Sequence, residues 1–322
     1  MQLIWPSSLM VWEIRVINIL PILINKLKNN LAWIIVVVAF PFFFLGGPDG
    51  TTSKLYSALW NCGHIVFFVA LVFALNTKFN LRRWQVALIT LFAVFVSGGL
   101  IEIIQSHTGR DGNWDDLLMD VSGTCVGLFW LQPPSLFVWL GRIVAMAFLI
   151  PSLSTVFLEA WFQYHAMNKF PLIAGFESRI ELHGKKSTAE LNAQFHTQGD
   201  YSLKLILTTE RYSGVSFDRL FNDWSGYKQL SFDIYNPNSL PFTMVLRVND
   251  LAHDKTGWVD ENRFNKHFQV NSGWNHLVFS IDEIKKGPTK RLMDLSQISL
   301  IVIYAAQLPT AQTIYLDDLR LE

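Results

Sequence analysis

Residues 102–127 read EIIQSHTGRDGNWDDLLMDVSGTCVG. They place Glu102, Gln105, Arg110, Asp116 and Asp120 between two apolar runs. Ionisable groups at membrane depth cost several kcal/mol unless they are paired or wet, so the stretch marks a candidate site inside a helical membrane bundle. Spacing sharpens this reading. Glu102 and Gln105 are three residues apart and Asp116 and Asp120 four apart, so each pair shares one face of a helix. Gly123 and Gly127, also four apart, give the second helix a surface of small residues for close packing.

Composition agrees on both sides of the stretch. The chain has 322 residues, 51% of them hydrophobic and 16% charged, with zero formal net charge. Only 17 Asp, Glu, Lys and Arg fall in residues 1–162, against 35 in residues 163–322. Two parts follow: an apolar membrane half, and a more polar half long enough to bury a core of its own. The second half carries 17 basic and 18 acidic residues, which leaves no electrostatic footprint for nucleic acid. Cys62 and Cys125 both lie in apolar runs and suggest no disulfide framework.

Around the central stretch, five apolar segments near the length of a membrane span are expected, at about 31–45, 55–75, 84–106, 116–131 and 142–161. Residues 1–30 read as an interfacial, cytoplasmic segment. They have no cleaved signal peptide, because Glu13, Arg15, Pro6 and Pro21 interrupt any h-region. Arg15, Lys26, Lys28, Lys78, Arg82, Arg83 and Arg142 fall on one side of the bundle, against Lys54 and Arg110 on the other. The positive-inside rule then places the N-terminus in the cytoplasm and the second half outside a bacterial-type cytoplasmic membrane. On this topology His64 lies at the same depth as Glu102, Gln105, Arg110, Asp116 and Asp120. The group reads either as a structural clamp between spans or as a substrate or proton site.

In order and spacing, His64, Glu102, Gln105, Arg110, Asp116, Gly123 and Gly127 resemble the VanZ-like membrane proteins over about residues 31–131. Asp120 departs from the pattern, standing where that family usually has Asn. The resemblance implies an envelope membrane protein linked to low-level teicoplanin resistance, with no settled chemistry.

After an expected linker at 163–169 the pattern changes to period two. The runs 201–209, 228–236, 242–249, 276–281 and 298–305, with the closing TIYLDDLRLE, predict an all-β sandwich over 170–322. Gly175-Phe176-Glu177, Asp223-Trp224-Ser225-Gly226-Tyr227, Gly273-Trp274-Asn275 and Tyr315-Leu316-Asp317-Asp318-Leu319 look like the galactose-binding-like jelly roll of many carbohydrate-binding modules. That resemblance implies a structural calcium ion tying the first strand to the last, with Glu177 and Asp317 or Asp318 as ligands, and a carbohydrate or cell-wall glycan as partner.

The polar segment 249–268 is the expected ligand surface. Asn249, Asp250, His253, Asp254, Asp260, Glu261 and Arg263 offer hydroxyl partners beside Trp258, an aromatic plate for a sugar ring. Trp224 and Trp274 read as core residues. No catalytic signature is complete: Ser106-His107 with Asp111 is loop composition as much as a triad, and metalloprotease, P-loop and dinucleotide fingerprints are missing. The sequence therefore reads as a non-enzymatic membrane protein with a sugar-binding-type module. Its rival is a membrane enzyme or carrier for a lipid-linked glycan or peptidoglycan precursor, acting through the polar cluster.

Overall fold

The computed structural model describes residues 30–43, 53–107, 114–182, 189–218, 223–256 and 259–322. The amphipathic segment expected before the first span, and Arg110 with its loop, lie outside the described residues. The chain divides into two compact units, Met1–Leu158 and Glu159–Glu322.

The first unit is helical: α1 (Asn30–Phe42), α2 (Lys54–Asn76), α3 (Trp84–His107), α4 (Trp114–Leu131), α5 (Leu136–Ala147) and the start of α6 (Ile150–Lys169). Among the described residues, three stretches are long and apolar enough to cross a membrane: Lys54–Asn76, Trp84–Ile103 and Leu136–Lys169. The expected count of five is not reached. The helix Asn30–Phe42 is short, and α4 carries Asp115, Asp116 and Asp120. The last stretch, expected from about 142, begins earlier, because α5 and α6 follow each other across a single turn, and residues 163–169 are helix rather than linker.

Large apolar side chains cover the outer surface of this unit, among them Phe92 at 69%, Leu136 at 79% and Phe157 at 76% exposure. Helices apolar all round belong in a larger core or in lipid.

Local chemistry sets the helix ends. Ser53 caps α2 by accepting from the Tyr56 N–H at 3.2 Å, and Ser135 caps α5 by accepting from Val138. Arg142, expected between spans, lies in α5. Its Nε donates to Phe129 O at 3.2 Å and its Nη2 to Gln132 O at 3.1 Å, so it satisfies carbonyls near the end of α4. The rings of Trp139 and Trp130 flank its guanidinium.

The second unit is an antiparallel β-sandwich. One sheet has the order β2 (Ala189–Asn192), β3 (Ser202–Leu207), β10 (Gln312–Leu321), β5 (Gln229–Asn236), β8 (Gly273–Ser280), with β1 (Leu172–Ala174) also on β10. The other has the order β4 (Tyr212–Phe217), β9 (Ile298–Ala306), β6 (Phe242–Asp250), β7 (Phe264–Val270). Alternation along β6 sends Met244, Leu246 and Val248 into the core, where they meet Phe232, Ile303 and Leu316. Each fully buried side chain of this kind contributes about 1.5–3 kcal/mol. Trp224 is fully buried, but Trp274 is 44% exposed on β8, where it packs against Tyr235. Trp274 therefore corrects the core expectation: its strand turns it to the outer face of the sheet.

Candidate functional site

The alternation that buries Leu246 turns Val245 and Arg247 outward, and the register of the four-stranded sheet sets their neighbours. Gly214, Tyr304, Val245 and His267 form one row across β4, β9, β6 and β7, and Ser216, Val302, Arg247 and Asn265 form the next. These rows floor a groove of about 630 Å³. Tyr212 stands beside Tyr304 with ring centroids 5.7 Å apart, edge to face. Asp260 and Arg263, from the loop before β7, complete the lining. At Gly214 a Cβ would collide with the carbonyl of Ile303 and the backbone of Tyr304, so only glycine permits this approach of β4 to β9.

Such a surface offers an aromatic face, hydroxyls and cationic donors within one concavity, the mixture that binds small polar ligands. Burial, followed by the charge of Arg263, pulls the Arg247 guanidinium below its ordinary pKa. Burial likewise pushes the Tyr304 phenol up, against the pull of Arg263 and Arg247. The two guanidiniums and the phenol thus share one field.

Of the residues expected to bind a ligand, Asp260 and Arg263 line the groove. Asn249, Asp250 and His253 do not: all three are fully buried, and this corrects the sequence reading. The segment 249–268 is not a single exposed loop. It ends β6, makes the short helical turn Leu251–Asp254 and then forms part of β7. Asp250 caps the turn through the His253 N–H at 3.0 Å and accepts two hydrogen bonds from Arg291. Asn249 accepts from Arg247 Nε at 3.0 Å and donates to Asp254 at 3.3 Å, so it positions the groove arginine from behind. Burial, then Arg247 and Arg263, push the His253 imidazole below its ordinary pKa. The Glu261 carbonyl holds Thr289, and Trp258 lies outside the described residues. Reading the segment as a loop hid Asn265 and His267; Tyr304 sits at an outward position of a strand that the sequence does show.

The carboxylates implied for calcium gather unevenly. Asp317 is fully buried, and its Oδ2 accepts the N–H groups of Thr197 at 2.7 Å and Gln198 at 2.9 Å. Glu177 accepts from Asp200 and Tyr201 in the same loop. Gln198 Oε1 is buried there with no hydrogen-bond partner among the described residues. A β-bulge between Asp317 and Arg320 turns Asp318 away to pair with Arg320. Among the described residues, no three His, Cys, Asp or Glu side chains come together as a metal site. An ion at this loop would therefore draw on amide and backbone oxygens beside Glu177 and Asp317, a donor set that suits calcium.

In the helical unit, His64 of α2 and Asp120 of α4 meet at 2.7 Å, Nδ1 to Oδ1, and Asp116 Oδ2 lies 4.0 Å from Nε2. Glu102 of α3 is 5% exposed and acts electrostatically on the same imidazole. The glycines behind Asp120 explain the approach. A Cβ on Gly123 would lie 2.7 Å from Ile65 O, and one on Gly127 2.8 Å from Val72 Cβ, so α4 rests directly on α2. Gln105 lies at the end of α3, one turn beyond Glu102.

No protein-family model matches the sequence, and no curated protein does. Solved structures show a distant likeness. A family 11 carbohydrate-binding module from Clostridium thermocellum, in complex with a β-1,3-1,4-mixed-linked tetrasaccharide, is 16% identical, with 41% of this chain and 80% of that one covered and a TM-score of 0.33. A family 30 carbohydrate-binding module from a cellulosomal cellulase of the same organism is 16% identical, with 42% and 82% covered and a TM-score of 0.32. An exo-β-agarase is 17% identical, with a TM-score of 0.36; 47% of this chain is covered, but only 24% of the agarase. At these identities the likenesses carry no ligand over to this chain.

Proposed function

We propose that the chain is a membrane protein whose jelly-roll-type sandwich binds an oligosaccharide outside the cell, on the groove across the four-stranded sheet. The observation that carries this reading is the juxtaposition of Tyr304, Tyr212, Arg247 and His267 in one concavity. An aromatic face supports a sugar ring, while the flanking donors orient its hydroxyls. The outward-facing sandwich is the part of this proposal that rests on the five-span reading of the loop charges, with Arg15, Lys26, Lys28, Lys78, Arg82 and Arg83 on the cytoplasmic side.

The test is binding of the full chain, held in lipid nanodiscs, to an oligosaccharide array. Tyr304→Ala should abolish binding with the melting temperature unchanged. Binding that survives this substitution overturns the groove as the site. Calcium at Glu177 and Asp317 belongs to the same reading, supported by the buried Gln198 Oε1 beside them.

For the helical unit the proposal is a VanZ-like envelope protein. The approach of His64 to Asp116 and the packing of Gly123 and Gly127, at positions that carry the resemblance, support it, although the shorter contact of His64 is with Asp120, which departs from the pattern. One observation favours the rival reading of a carrier or enzyme for a lipid-linked glycan: His64, Glu102, Asp116 and Asp120 converge between apolar helices. Glu102→Gln should leave folding intact. Loss of an envelope phenotype on that substitution supports the rival, and an unchanged phenotype removes it.

A further inference from the structure

We infer that the groove selects acidic oligosaccharides, whose carboxylate, sulfate or phosphate group sits between Arg247 and Arg263. This inference rests on the glycan reading of the same groove and adds the charge class of the ligand.

Charge and burial are unevenly distributed. The Arg263 side chain is 11% exposed, whereas Asp260, its ion-pair partner, is 80% exposed. Both line the groove, but the cation is nearly buried while its counter-charge is largely in water, where screening leaves an ion pair worth little. Arg263 Nε is buried with no hydrogen-bond acceptor among the described residues. A buried guanidinium N–H without an acceptor is costly, and a ligand anion would remove that cost with a charge-assisted bond. Arg247 stands close enough to feel the charge of Arg263, and Asn249 holds it from behind by accepting from its Nε. Two like charges held together in a half-buried site disfavour each other, and an anion between them would favour both charged forms.

The remaining charges point the same way. Arg211 lies 5.3 Å from the ring centre of Tyr212, a residue of the lining. His267, in the same row as Tyr304 with Val245 between them, offers an imidazole that can donate or accept. On the acidic side, Asp254 and Asp260 act on Arg247, Asp254 also accepts from Asn249, and Asp260 is the only carboxylate in the lining among the described residues. Among the charged groups of the lining, two donor-only guanidiniums face one carboxylate, an excess that an anionic ligand would balance. Arginine pairs with planar or tetrahedral oxyanions through two parallel N–H bonds, which fits the carboxylate of a uronic acid and the sulfate or phosphate ester of a substituted sugar.

The experiment compares four ligands on the full chain in nanodiscs of zwitterionic lipid: a uronic-acid hexamer, the same hexamer with its carboxyls reduced, a sulfated hexamer and a sugar-phosphate oligomer. At least one acidic ligand should bind about ten-fold or more tighter than the reduced hexamer, and raising salt from about 50 to about 500 mM should weaken only the acidic ones. Which acidic ligand binds best identifies the anion. Arg263→Gln should remove the acidic preference, and Arg263→Lys should keep part of it, since charge remains but the fork does not. Equal binding of the reduced and acidic hexamers, at low salt and in the wild type, overturns the charge inference and leaves the groove reading standing. No binding of any oligosaccharide overturns both.

Discussion

Asp250 and Arg291 face each other through two hydrogen bonds, Nη1 to Oδ2 at 2.5 Å and Nη2 to Oδ1 at 2.6 Å. The carboxylate also accepts the N–H groups of His253 and Asp294. A residue that the sequence offers as a sugar ligand therefore ties the end of β6 to the segment 291–294. Burial alone would push the Asp250 carboxyl up, but Arg291 and these N–H groups hold it below the usual carboxylate range.

Because its folded pKa is depressed, Asp250 contributes stability that is complete above about pH 4 and is lost as pH falls through the lower folded value. Arg291→Ala should cost about 3 kcal/mol, since it leaves a fully buried carboxylate without its cation. Urea denaturation at pH 7 and at pH 3 measures this. The gap between wild type and Arg291→Ala should narrow at the lower pH, and an unchanged gap would remove Asp250 as its source.

A second prediction concerns the helical unit. Gly123 has no room for a side chain against the Ile65 backbone, whereas a Cβ on Gly99 would meet nothing within 4 Å. Gly123→Val should therefore push α4 off α2, costing about 2 kcal/mol or more, and separate His64 from Asp120. Gly99→Val, on a free face of α3, should be nearly silent. The thermal stability of the two variants in detergent gives the comparison, and equal losses would contradict direct packing at Gly123.

A third prediction separates the partners of His64. Asp120→Asn keeps an oxygen that can accept from the ring, and should fold like the wild type. Asp120→Leu leaves His64 without that acceptor and should lower the folded yield. Equal yields from the two variants would show that the 2.7 Å contact does not hold the helices.

The sandwich was legible because its central strands alternate cleanly: expected runs at 228–236 and 298–305 became β5 and β9. β4 and β7 were not. YSGVSF has a glycine where a strand usually carries a packing side chain, and FNKHFQV follows a polar stretch that reads as one continuous loop. Those two strands form the edges of the four-stranded sheet, so missing them hid the groove floor. Asn249 and Asp250 misled for a related reason. A polar residue that closes a strand and caps a turn has the same letter as one that faces a ligand, and only burial distinguishes them. In the membrane half, spacing placed Asp116 and Asp120 on one face, and the glycines behind them marked the contact with α2.

The last prediction decides the role of the loop at 197–201. Burial pushes the Asp317 carboxyl up, against the backbone N–H groups of Gln198, Thr197 and Asp318. Without a cation, ionised Asp317 therefore lowers stability above its raised pKa, and acidification through that range should restore some of it. A bound calcium reverses the sign, because the ion favours the charged carboxylate and binds only the folded loop. Adding calcium at pH 7 should raise the melting temperature of the full chain, and a chelator should return it. Asp317→Asn should abolish the response, while Asp318→Asn, whose partner is Arg320 on the other side of the bulge, should leave it intact. A melting temperature indifferent to calcium at pH 7 would assign Glu177 and Asp317 to loop closure by hydrogen bonds alone.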